Sequence, residues 1–151
     1  MFSLPAFFFA ALSFFSNVNA SVSDCSNGAS LFKLTSFSFS PDPTVPGQNS
    51  TLLLSMNVPT VVTNGTATYS STYNFIPLNP STDPLCYVTV DCPIQVGTLS
   101  TRSSYPIPTD LTGSLQMKVV WNDLDGNLLM CVAIKTKLGN AAKQLSLWRN
   151  V

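Results

Sequence analysis

The sequence predicts an all-β protein, a sandwich of about seven antiparallel strands. Three observations carry this expectation. Apolar residues recur at every second position in a series of short runs, clusters of Pro, Gly, Asn and Asp punctuate the gaps between them, and no interior stretch holds a convincing helical period. A closed up-and-down barrel is the architectural competitor.

Taken in order, the chain opens with twenty aromatic, aliphatic and small residues that end at Val18, Asn19 and Ala20, the pattern of a secretory signal peptide cleaved before Ser21. Its apolar stretch from Leu4 to Phe15 is shorter than the ~20 residues a bilayer span needs. The remaining residues, 21–151, suit one domain with room for a core.

Leu31 to Phe39 places Phe37 and Phe39 on one parity and ends in the Pro- and Gly-rich segment Ser40 to Gly47, so a strand runs into a rigid turn. Leu52, Leu54, Met56 and Val58 then share a face until Pro59 stops the run, as in an antiparallel strand with one buried side. Thr66 to Phe75 is a third strand, with Tyr69, Tyr73 and Phe75 on one parity and Pro77 and Pro80 ending it. Tyr87 to Val90 reads as a short strand between cysteines, and Val96 to Ser104 as a weaker one. Tyr105 to Pro108 is extended, because each proline biases the residue before it away from helix. Leu115, Met117, Val119 and Trp121 line one face of the next strand. Asp123 to Asn127 supplies a hairpin turn, and Leu128 to Lys137 returns with Met130, Val132 and Ile134 on one parity.

The chemistry is bounded from several sides. There is no histidine, which removes Ser-His-Asp and Cys-His catalysis and the common His-bearing zinc sites. All seven Lys and Arg and all seven acidic residues lie after residue 20, and no basic patch offers a phosphate backbone repeated contacts, so nucleic acid is not an expected partner. No Cys-x-x-Cys element suggests a metal, no cofactor is implied, and neither Asp123 and Asp125 nor the scattered Ser and Lys residues form a recognisable catalytic set.

Four cysteines, Cys25, Cys86, Cys92 and Cys131, in an oxidising compartment predict two disulfides. Three pairings exist on paper. Cys86 and Cys92 enclose a very short loop, whose closure is cheap, which leaves Cys25 for Cys131. That long-range bridge is worth about 4 kcal/mol on the chain-entropy account. Asn49-Ser50-Thr51 and Asn64-Gly65-Thr66 are N-glycosylation acceptors if the chain enters the secretory pathway.

The segments Asp24-Cys25, Ser40 to Gly47, Cys92-Pro93-Ile94 and Asp125 to Ile134, in this order and spacing, resemble the MD-2-related lipid-recognition (ML) family, from about Cys25 to Lys137. The likeness is greatest to its phosphatidylglycerol/phosphatidylinositol transfer branch and to its NPC2-like sterol carriers. The resemblance implies an immunoglobulin-like β-sandwich with an apolar cavity between its two sheets, and a protein that binds or transfers lipid without transforming it. It also implies the pairs Cys25–Cys131 and Cys86–Cys92. Two departures stand out: this chain lacks the further cysteine pair many relatives carry in the region of Phe39 to Gln48, and it has Leu99 where many relatives place Tyr.

On this reading the cavity candidates are Phe37, Phe39, Leu54, Met56, Tyr69, Tyr73, Phe75, Leu99, Tyr105, Met117, Val119, Trp121, Met130, Val132 and Ile134. Tyr69, Tyr73, Tyr105 and Trp121 suit its mouth or wall, since each joins an apolar ring to a polar tip. Ser103, Ser104 and Arg102 are polar neighbours for a head group. The expected partners are a phospholipid or sterol, a transient membrane contact and a lipid-handling membrane protein, in a secreted setting or a vacuolar or endolysosomal lumen. A secreted adhesion or recognition sandwich with a dry core is the rival reading. The extension from about residue 138 holds a helix-prone segment, Ala141 to Arg149, in which Leu145 and Trp148 share a face, with Lys143 and Arg149 suited to anionic lipid.

Overall fold

The computed structural model describes residues 20–89 and 92–138; residues 1–19 of the expected signal peptide and the expected C-terminal helix lie outside the described residues. In chain order the elements are β1 (Ser21–Asp24), β2 (Lys33–Ser40), β3 (Asn49–Val58), β4 (Gly65–Tyr73), β5 (Ile76–Pro77), β6 (Ser81–Pro84), α1 (Leu85–Val88), β7 (Gly97–Pro106), β8 (Gly113–Asp123) and β9 (Leu128–Leu138). They form two antiparallel sheets. The larger runs β1-β9-β8-β4, with β5 and β6 both paired to the outer edge of β4, and the smaller is β2-β3-β7.

Alternation explains how the sheets meet. In β3, Ser50, Leu52, Leu54, Met56 and Val58 are buried while the residues between them are not. In β8 the buried residues are Leu115, Val119 and Trp121. Leu52, Leu54, Met56 and Val58 oppose Val119 and Trp121 and, with Met130, Val132 and Ile134 of β9, make the main core. Each such aliphatic side chain contributes about 1.5–3 kcal/mol when fully buried. The first half of β9 is buried on both faces, because the segment before β2 crosses its outer side. Phe32 N donates to Leu129 O at 2.9 Å, and Cys25 is bonded to Cys131.

The structure contains the disulfides Cys25–Cys131 and Cys86–Cys92. Of the strand expected at Tyr87 to Val90, Tyr87 and Val88 belong instead to the single turn of α1, with Thr89 N donating to Leu85 O at 3.0 Å, and Val90 lies outside the described residues. A residue run so short has no period of its own, and Pro84 before it and the Cys86–Cys92 clip after it bend the backbone out of extension. Three strands were not expected: β1, β5 and β6 are two to four residues long, polar or proline-bearing, and exist because a neighbouring strand offers them an edge.

Candidate functional site

The two sheets part along one side, where β4 and β6 of the larger face β7 of the smaller. Among the described residues β7 is bonded only to β3 and β6 only to β4, so no described ladder closes this side. Between them lies a cavity of about 390 Å³. Its wall is Tyr69, Met117, Val119 and Tyr105; Ser71 and Ser103 add hydroxyls, and Ser70, Ser81, Asp83, Ser104 and Lys118 complete its rim.

Register explains the grouping. Tyr69 pairs with Val119 and Ser71 with Met117 across β4 and β8, so all four point between the sheets. On β7, Ser103 and Tyr105 share parity with Leu99 and Thr101, opposite inward-facing Leu52 and Ser50. The Tyr69 and Tyr105 rings meet edge to face with centroids 6.3 Å apart.

Desolvation dominates the electrostatics. Burial pushes the Tyr69 phenol up to about 12, with Tyr105 and the Asp83 carboxylate adding to the rise. Burial also raises the Tyr105 phenol, against a smaller opposing effect of Ser103. Among the described residues, no hydrogen bond of ordinary geometry reaches the Tyr105 hydroxyl, and the buried Trp121 Nε1 and Ser50 Oγ likewise lack partners. Neutral phenols and aliphatic carbon beside a rim of hydroxyls can accept a hydrocarbon chain with its polar end at the surface.

Of the residues expected at a cavity, the structure brings Tyr69, Tyr105, Met117 and Val119 to its wall. Phe39, Leu54, Met56, Trp121, Met130, Val132 and Ile134 pack on one another as core, with Leu99 against them. Trp121 is 1% exposed and belongs to neither mouth nor wall. Tyr73 also departs from expectation. It packs with Ile107, Leu115 and Leu138 in a second small cluster, and its hydroxyl donates to Thr112 O at 2.7 Å, tying β4 to the loop before β8.

Phe37 has the inward parity of β2, an edge strand, but stays exposed, whereas Phe39 on the same parity is buried in the core. Phe75 is a correction: β4 ends at Tyr73, the chain turns at Asn74 and Phe75 with φ of 45° and 69°, and the Phe75 side chain is 85% exposed. Arg102 faces outward opposite Leu53, away from the cavity, whereas Ser103 and Ser104 line it. Ser71, Ser81, Asp83 and Lys118 had no sequence signal, since short polar side chains on a strand look alike whether they meet solvent or a cavity rim. Of the glycan acceptors, Asn49 is exposed at the start of β3, while Asn64 is partly buried with its Oδ1 accepting from Gly65 N at 2.8 Å.

Comparison with known proteins agrees with this geometry. A family model described as the ML domain matches residues 19–138. A Dictyostelium discoideum protein provisionally named phosphatidylglycerol/phosphatidylinositol transfer protein 1 is 30% identical over 118 residues, covering 76% of this chain and 78% of its own. A second from the same organism, provisionally named transfer protein 3 of that kind, is 29% identical over 119 residues, covering 77% and 79%. Among solved structures, a Niemann-Pick type C2 protein from the Japanese carpenter ant superposes with a TM-score of 0.63 at 16% identity, over 79% of this chain and 99% of that one. Chicken MD-1 complexed with lipid IVa gives 0.59 at 12% identity, over 80% and 90%. These two show a shared fold. With the family match across the whole described sandwich, the chain belongs to the ML-domain family.

Proposed function

We propose that this protein is a non-enzymatic lipid carrier that takes up one lipid from a membrane, holds its hydrocarbon between the sheets, and releases it to another membrane. The observation that carries this reading is the cavity of about 390 Å³ at the parted edge of the sandwich, walled by Tyr69, Tyr105, Met117 and Val119. Its size falls near the lower end of the range for small-molecule sites. Moving hydrocarbon between a bilayer and such a wall changes little apolar exposure, so uptake is reversible, as a carrier requires.

The rim favours a phospholipid over a sterol. Ser71, Ser81, Ser103 and Asp83 supply several hydroxyls and a carboxylate, which suit a hydroxylated head group better than a single sterol hydroxyl. Similarity to proteins named for phosphatidylglycerol and phosphatidylinositol transfer supports the same choice. The setting that goes with this function is a mature chain from Ser21, glycosylated at Asn49 and Asn64, in a secreted or endolysosomal compartment, where the two disulfides persist.

Lipid extraction of the purified protein followed by mass spectrometry, before and after incubation with mixed phospholipid and sterol vesicles, tests the proposal. One phospholipid per protein is expected. Ser71→Phe, which fills the cavity from β4, should lower uptake by at least about tenfold with little change in thermal midpoint. A protein that carries and acquires no lipid is a dry-core recognition module instead.

A further inference from the structure

The β4–β5 hairpin has the geometry of a two-residue turn: Tyr73 pairs with Ile76 and Thr72 with Pro77, so Asn74 and Phe75 alone make the connection. Both have positive φ, 45° and 69°. A loop of this kind strongly favours Asn-Gly, because a side chain in the left-handed region crowds its own backbone. Asn74 meets that preference; Phe75 violates it. The aromatic ring placed there at conformational cost gains no compensating burial, since it is 85% exposed, and Ile76 and Leu78 beside it are 64% and 48% exposed.

The turn is nonetheless held firmly. Asn74 N donates to Ser114 O at 2.9 Å, Asn74 Oδ1 accepts from Ser114 N at 2.8 Å, and a Cβ on Gly113 would run into the Asn74 side chain. A strained, anchored, outward-pointing aromatic tip is what a part that must project into something requires.

Two placements say what that something is. The tip continues directly into the cavity rim: Leu78 N donates to Ser71 O at 2.8 Å, and Ser71, Ser81 and Asp83 all line the cavity. The second placement is charge. Lys118, Lys135 and Lys137 are exposed on the outer face of the larger sheet, opposite Ser70, Gln116 and Ser114 respectively, so they form a band that reaches the level of the tip. No outward position of β4, β8 or β9 carries an acidic residue; Asp42 and Asp110 are in loops at this end, and Asp123 and Asp125 sit at the opposite end of β8.

We infer that the Phe75–Ile76–Leu78 tip is a membrane wedge that inserts at the level of the lipid head groups, with the lysine band facing anionic phospholipid, so that the cavity mouth is brought to the bilayer surface. This deepens the carrier reading and rests on it for the purpose of the contact, but the contact can be measured separately from cavity occupancy.

Co-sedimentation of the full mature chain with phosphatidylcholine vesicles, with and without phosphatidylglycerol, is the test. Phe75→Gly should lower association by about tenfold, while thermal midpoint stays level or rises because glycine fits the turn. Lys135→Gln and Lys137→Gln should each lower association by about fivefold on phosphatidylglycerol vesicles and leave phosphatidylcholine binding unchanged. A wild-type chain that does not sediment with vesicles, a Phe75→Gly chain that sediments like wild type, or binding lost only on deletion of residues 139–151 overturns the wedge. Dimerisation abolished by Phe75→Gly would assign the tip to a second copy and overturn it equally. Wild-type vesicle binding through Phe75 with no lipid in the extracted protein would instead refute the carrier and leave the wedge standing.

Discussion

Tyr69 is the residue in which burial, chemistry and position meet. Its phenol is pushed up to about 12 by desolvation first, then by Tyr105 and Asp83, while in an unfolded chain it titrates near 10.0. The folded state therefore keeps a proton that the unfolded state gives up, so the associated stability is complete below pH 10.0 and is lost as pH rises toward 12. Tyr69→Phe has no proton to lose, and the fall in urea midpoint across that window should be shallower than in the wild type. Identical slopes in the two proteins would show that Tyr69 is hydrated in the native state. Tyr105, raised by burial as well, should join Tyr69 as a late component in a tyrosinate absorbance titration. Bound lipid should delay that component further by excluding the water still reaching the mouth.

At the level of elements, the turn between β8 and β9 shows how much one side chain can arrange. Asp123 Oδ1 accepts from Asp125 N at 2.9 Å and Asn127 N at 2.8 Å, Oδ2 accepts from Asn127 Nδ2 at 2.8 Å, and Gly126 supplies a φ of 84°. Asn127 is the chief reason the Asp123 carboxyl lies below its ordinary 3.8. The sign is opposite to that of Tyr69: the contribution is present above pH 3.8 and is lost as pH falls through the lower folded value. Asp123→Asn should lower stability at neutral pH and lose less than the wild type as pH falls below 3.8, read as denaturant midpoints. An unchanged acid limb would remove the carboxylate from the account of the turn. This turn was legible in the sequence because Asp-Leu-Asp-Gly-Asn carries its own hydrogen bonds. The β4–β5 turn was not, because Phe75 looks like one more apolar residue of the strand, and only the Tyr73–Ile76 pairing shows that the chain has already reversed.

For the molecule as a whole, Cys25–Cys131 is the long constraint, with a sequence separation of 106 against 6 for Cys86–Cys92. It ties the segment that covers the outer side of β9 to the strand in the middle of the larger sheet. Cys25→Ser should destabilise the fold by about 2–5 kcal/mol, and breaking Cys86–Cys92 should cost less, because the short loop has little chain entropy to restrain. Equal losses in thermal or denaturant unfolding would mean that the short clip holds more than α1 in place.

Period-two alternation, turn residues and cysteine spacing are local, and they determined the strands from β2 to β4 and from β7 to β9, the sandwich class and the disulfide pairs, while the family came from the resemblance of four ordered segments. A residue's parity states which face of a strand it occupies, but not what that face meets. Met56 and Met117 share an apolar type, an inward parity and a strand flanked on both sides, yet one is sealed in the core and the other lines the cavity, because Met117 lies beside Ser71 of β4, where the sheets part. Trp121 lies in the core and Tyr73 in a latch by the same kind of long-range placement, and Phe75 is in solvent because the chain reverses at Asn74. Where two sheets separate is set by which strands pair at their edges, a property of contacts distant in sequence, and only the tertiary structure decided it.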